Sequence, residues 1–162
     1  MEQEVTAQEL KENAKWISDK FSTNDFKFKY ELTDFNHIDQ LIDNFHSQVN
    51  QLDEATRTTK SMNLTVLIGS YLGEAILNKY TDAAWVIEDT SPSKIGSIYI
   101  RLDQDVKTWP FAKAYKRIVD KTEERFTHYA EEVFGQIKAI HEARIAAEKE
   151  KAKPFWKFWE KK

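Results

Sequence analysis

Glu74 is the carboxylate set in the most apolar stretch of the chain, Leu64 to Leu77, beside Tyr71 and Gly73. A carboxylate buried there must find a partner, or its pKa rises. A raised pKa would make Glu74 a pocket acid. Pairing with Lys79, Arg101, Lys113 or Arg117 would make it a structural ion pair, and a rim position would leave it solvated. His128 follows Glu124 by four residues and precedes Glu131 and Glu132. Imidazole and carboxylates on one helical face can ligate a divalent metal. One helix supplies only part of a shell, however, and no second His-carboxylate cluster matches it; ordinary i,i+4 charge pairs account for the pattern. His37 and His46 are nine residues apart and do not share a turn. Asp103-x-Asp105, with Asp120 beyond, lacks the glycine and distal glutamate of a calcium loop. The expectation is therefore no metal site and no cofactor.

Other chemistries lack their residues. The chain has no cysteine, which removes disulfides, thiolate ligands and thiol nucleophiles. Gly69-Ser-Tyr-Leu-Gly73 lacks the Lys-Ser/Thr ending of a phosphate loop and is not a Gly-x-Ser-x-Gly elbow. Two glycines four apart instead make a smooth helical groove, suited to close approach of another backbone. No residue is assigned a catalytic role, and an enzyme is the less favoured reading.

The elements that would position these residues follow from periodicity. Ala7 to Phe21 has helical spacing in Leu10, Ala14, Trp16, Ile17 and Phe21. Phe26 to Leu32 alternates apolar and polar residues, the pattern of a half-buried strand. Thr33 or Asp34 can cap a following helix, whose stripe is Phe35, Ile38, Leu41, Ile42, Phe45, Val49 and Leu52. Asp53 to Ser61 reads as a loop or as continuing helix. Met62 to Tyr80 is apolar on almost every face and belongs at the centre of the fold. Ala83–Ile87 and Ile95–Leu102, separated by the turn-rich Asp89 to Lys94, suggest an antiparallel hairpin carrying Trp85. Pro110 suits the first turn of a helix bearing Phe111, Tyr115, Ile118 and Val119. A last helix starts near Phe126; its apolar stripe fades after His141, leaving Glu142 to Lys153 as a solvated helical extension that Pro154 stops.

The fold expected from these elements is α+β, a small antiparallel sheet of two or three strands packed against several helices, with a C-terminal helical extension. Residues 1–150 form one domain, in keeping with a 162-residue chain, and residues 151–162 form a separate basic, aromatic tail. Five lysines against Glu160 give that tail +4, so a net charge of -3 leaves -7 on residues 1–150. An acidic body argues against general nucleic-acid binding. The first residues are polar and acidic, unlike a secretory leader, and the longest apolar stretch is too short for a bilayer; the expected location is cytoplasmic.

The tail carries Phe155, Trp156, Phe158 and Trp159 among lysines, an apolar surface that would not normally stay bare in water. It can fold back, dock on a protein, or make weak contact with a membrane surface, where Trp and Lys are favoured. Docking on a protein partner is the role adopted for it.

Leu67-Ile-Gly-Ser-Tyr-Leu-Gly-Glu74, the Trp85 strand and Trp109-Pro-Phe-Ala-Lys-Ala-Tyr-Lys-Arg-Ile118 together resemble a group of small bacterial proteins built on a domain of unknown function. These show a Gly-x-Tyr-x-Gly-Glu helix, a Trp-bearing strand and a Pro-Phe-x-x-x-x-Lys-Arg element, and some resemble immunity or accessory factors. The resemblance spans residues 60–120. It implies a bacterial origin and a binding patch at Gly69, Tyr71, Gly73, Glu74 and Trp85, and it carries no catalytic residue. The function expected is a non-catalytic interaction protein; the alternative is a small-molecule binding protein or enzyme using Glu74 in a pocket.

Overall fold

A computed structural model describes residues 5–89, 95–121 and 125–151. The chain is α+β, as expected. Among the described residues it runs α1 (Ala7–Phe21), α2 (Asp34–Val49), α3 (Glu54–Lys79), β1 (Ala84–Ile87), a short 3-10 turn (Ile95–Ser97), β2 (Ile98–Arg101), β3 (Lys107–Thr108), α4 (Pro110–Tyr115), a π-helical turn (Lys116–Asp120) and α5 (Phe126–Lys151).

α1 begins with a capping box: the Glu9 N–H donates to the Thr6 hydroxyl, and Glu9 Oε2 accepts from the Thr6 N–H at 2.9 Å. Leu10, Ala14 and Ile17 face the core. Trp16 does not share that face and is 46% exposed, its ring edge-on to Phe21. Asp53 settles the ambiguous polar stretch. Its side chain accepts from the Thr56 N–H at 3.0 Å, so α3 starts at Glu54 and runs 26 residues. α3 is the central element, packed by α1, α4 and the π turn. Tyr71, Leu72, Ala75 and Ile76 are buried on it.

The hairpin forms as expected, with Trp85 opposite Ile100 in antiparallel register. β3 adds to the outer side of β2, giving the order β1-β2-β3. Pro110 occupies the first turn of α4.

Phe26 to Leu32 is not a strand. Among the described residues no strand pairs with it, and its N–H groups bond to side chains instead. The N–H groups of Lys29 and Glu31 donate to Asp34 Oδ2 at 2.9 and 2.8 Å, and the Tyr30 N–H donates to the Tyr71 hydroxyl at 2.9 Å. Tyr71 in turn donates to Asp34 Oδ2 at 2.5 Å. Three successive N–H groups thus converge on the Asp34 carboxylate and the Tyr71 hydroxyl bonded to it, a concavity of the kind that binds anions elsewhere, and Tyr30 takes a left-handed φ of 61° to allow it. The alternating pattern still describes burial in part: Phe28 is buried edge-on against Tyr71.

Asp39 on α2 caps α5. Its oxygens accept from the N–H groups of Phe126 and Thr127 at 3.1 and 3.4 Å, and Arg117 Nε lies 3.6 Å away. The π turn leaves the Ile118 carbonyl open to His46, whose Nε2–H donates to it across 3.0 Å. α5 is one continuous helix to Lys151, and residues 143–151 are exposed throughout. Arg144 ties it to the body through Asp82 and Asp103 at 2.6 and 3.2 Å.

Candidate functional site

Gly69, Tyr71, Gly73, Glu74 and Trp85 do come together, but chiefly to build the fold. The glycine face of α3 receives aromatic rings and not, as expected, a second backbone. A Cβ on Gly69 would lie 2.5 Å from Phe111 Cδ1, and one on Gly73 would lie 2.0 and 2.1 Å from Cζ2 and Cη2 of Trp85, too close for either ring to stay where it is. Trp85 and Phe111 themselves lie with ring centroids 5.7 Å apart. The absence of side chains at 69 and 73 therefore seats an aromatic pair from β1 and α4 on α3. Trp85 is half-buried and bridges both apolar clusters.

Glu74 pairs with none of the four cations named for it. Its Oε1 accepts from the Trp85 indole N–H at 2.8 Å. The carboxylate is half-buried at the edge of a groove of about 370 Å³ shared with Lys11, Lys15, Tyr30, Leu77 and Asn78. Burial, and then the nearby Glu74 charge, push the Tyr30 phenol above its ordinary pKa. The groove is small and rimmed by charged side chains, not the deep apolar cleft that would turn Glu74 into a pocket acid. Tyr71 is wholly buried, stacked on Tyr30 with centroids 4.8 Å apart. Burial first, and the bond to Asp34 second, raise its phenol pKa far up, so it remains a neutral donor to Asp34.

Phe155, Trp156, Phe158 and Trp159 lie outside the described residues. Among the described residues, no group of three or more His, Asp or Glu side chains is arranged to hold a metal ion. Asp103 is engaged by Arg144 and by the Gln104 N–H.

Two features escaped the sequence reading. The first is the pair of buried carboxylates on α2, Asp34 and Asp39, both at most 1% exposed. Their signal was present: each lies next to the apolar stripe, where an acid needs a fixed partner. The second is a groove of about 700 Å³ beside α2, walled by Phe21, Phe26, Phe28, Leu41, Phe45 and Leu64. His37 stacks on Phe26 at its edge, with centroids 3.5 Å apart. Leu41 and Phe45 belong to the α2 stripe, while Phe26 and Phe28 come from the 26–32 segment, so the groove is assembled from separate parts of the chain.

No helix among the described residues is long and apolar enough to cross a membrane. Comparison of the chain with family models, curated proteins and solved structures finds no match in any of the three.

Proposed function

We propose that the protein is a non-catalytic, cytoplasmic bacterial interaction protein of the immunity or accessory kind, which engages a protein partner through Phe155, Trp156, Phe158 and Trp159. The observation that carries this reading is the exposed end of α5. Residues 143–151 continue the helix with every position exposed. At 1.5 Å per residue, that is about 13 Å of helix, whose one large aliphatic side chain, Ile145, is itself 48% exposed. Arg144, bonded to Asp82 and Asp103, fixes the direction in which the helix leaves.

The fates of two buried carboxylates and the half-buried Glu74 support the non-catalytic half of the proposal. Asp34 accepts from two backbone N–H groups and Tyr71, Asp39 caps α5, and Glu74 holds Trp85. Each has a structural task that would be lost if it shuttled protons.

The test is co-purification with the product of a neighbouring gene, using the full chain and a variant with Phe155, Trp156, Phe158 and Trp159 all changed to Ser. Retention of the partner by the full chain and its loss by the variant is the expected result. Equal retention by both, or binding of the full chain to anionic vesicles without any protein partner, would refute the docking role.

A further inference from the structure

A second cleft, of about 370 Å³, opens between the β3–α4 segment and α5. Among the described residues, Lys107 from β3, Lys113 from α4 and Lys116 from the π turn line it together with the carboxylate of Glu132, and the Lys113 ammonium is already engaged, 5.0 Å from the centroid of the Tyr129 ring. This concentration of positive charge runs against the acidic character of residues 1–150. Trp109 stands in the same lining with 43% of its surface exposed. Its ring is 5.9 Å from that of Tyr99, which carries the Lys107 ammonium 4.4 Å from its centroid. Trp109 thus presents an indole to solvent beside the cations of the cleft.

The inner wall holds two hydroxyls. Thr108 Oγ1 and the Tyr129 hydroxyl are 2.5 Å apart, and both residues are buried. Each hydroxyl owns one hydrogen, and the bond between them uses only one of the two. The other remains available to a ligand. Burial pushes the Tyr129 phenol up to about 12, although its bond to Thr108 pulls the other way; it therefore keeps its proton at neutral pH.

We propose that this cleft binds a small anion carrying a flat ring, a phosphate or carboxylate joined to an aromatic or heteroaromatic group. Lys107 and Lys116 flank the anion, the Thr108–Tyr129 pair supplies a neutral donor, and the exposed face of Trp109 stacks on the ring. Lysine is suited to phosphate as a compact point charge, and ring stacking on tryptophan is worth enough to distinguish a ring-bearing anion from a bare one. The volume is at the lower end of small-molecule sites, which run from about 300 to 1,000 Å³, and suits a ligand of mononucleotide size.

The full chain is titrated calorimetrically at physiological salt with four probes: adenosine 5′-monophosphate, benzoate, inorganic phosphate and adenosine. At least one ring-bearing anion is expected to bind more tightly than inorganic phosphate or adenosine, and which one binds identifies the anionic group. Lys107→Ala and Lys116→Ala, both at exposed positions, are expected to weaken it about tenfold or more, the scale of a lost hydrogen bond to a charged group. Trp109→Ala is expected to erase the advantage of the ring-bearing anion over inorganic phosphate, while Lys11→Ala, at the distant Glu74 groove, changes nothing. Circular dichroism confirms that each variant is folded. Binding of none of the probes, affinities indifferent to the cleft substitutions, or a preference only for an acidic peptide would overturn the proposal.

Discussion

The Trp85 indole donates to Glu74 at 2.8 Å while the Cζ2–Cη2 edge of its ring occupies the space a Cβ on Gly73 would need, so one side chain of β1 is both tethered to α3 and seated on it. The bond and the missing side chain depend on each other. A ring pushed outward by a Cβ at position 73 would lose its alignment with the adjacent carboxylate.

Gly73→Ala is therefore expected to destabilise the protein. Alanine in an exposed helix would stabilise through propensity; here overpacking should outweigh that gain by about 1–3 kcal/mol. Chemical denaturation measures the sign directly, and a raised midpoint would show that the ring moves aside without cost.

Trp85→Ala should cost about 2–3 kcal/mol, below the roughly 3–5 kcal/mol of a fully buried tryptophan, because Trp85 is only half-buried. Trp85→Phe keeps part of the ring contact and removes the donor to Glu74, and should cost about 1 kcal/mol less than the alanine change. A loss under 1 kcal/mol for Trp85→Ala in a denaturant melt would remove this residue from the core.

Asp39→Ala is expected to be among the most damaging single changes, at about 3 kcal/mol. It strips the N–H groups of Phe126 and Thr127 of their acceptor and, among the described residues, leaves the largely buried Arg117 with Asp43, at 2.7 Å. Asp43→Ala is the comparison: that carboxylate is 46% exposed, and its loss should cost under about 1 kcal/mol. Equal losses for the two variants would mean that Asp39 is not the cap that holds α5 to α2.

Alkaline pH should weaken the fold. The Tyr129 phenol has a folded-state pKa raised from 10.0 to about 12, and that of Tyr71 is raised also. Above pH 10 the unfolded chain gives up these protons while the folded chain keeps them, so the unfolded state binds fewer protons and stability falls as pH rises. The stabilisation is whole below pH 10 and drains away as pH climbs through the folded-state values. Tyr129→Phe should flatten the decline in melting temperature between pH 10 and 12; an unchanged slope would place Tyr129 in contact with solvent.

Periodicity identified the helices well because their signals are local. α1 was bounded at Ala7 and Phe21 by helical spacing, and the all-round apolar character of Met62 to Tyr80 marked α3 as central. The Phe26–Leu32 segment misled because alternation reports which side chains are buried, not whether a partner strand exists. Its path is set by Asp34 and Tyr71, the latter 41 residues beyond Tyr30. The grouping of Gly73, Glu74 and Trp85 was visible as a motif, whereas its chemistry was not. Glycine spacing says that something approaches closely, but only the tertiary arrangement decides between a backbone and a ring. The π turn and the cleft beside it left no periodic trace, since Lys107, Trp109 and Tyr129 meet only through the packing of α5.

The central claim is that the body folds without the aromatic segment, which serves attachment. Removing residues 152–162 and comparing thermal melts with the full chain tests it most directly. The account expects superimposable circular-dichroism spectra and the same melting temperature, with loss of the partner. Each kcal/mol contributed by the segment would show as about 2–4 °C in a domain of this size. A fall of several degrees would contradict the claim and assign Phe155, Trp156, Phe158 and Trp159 to the core.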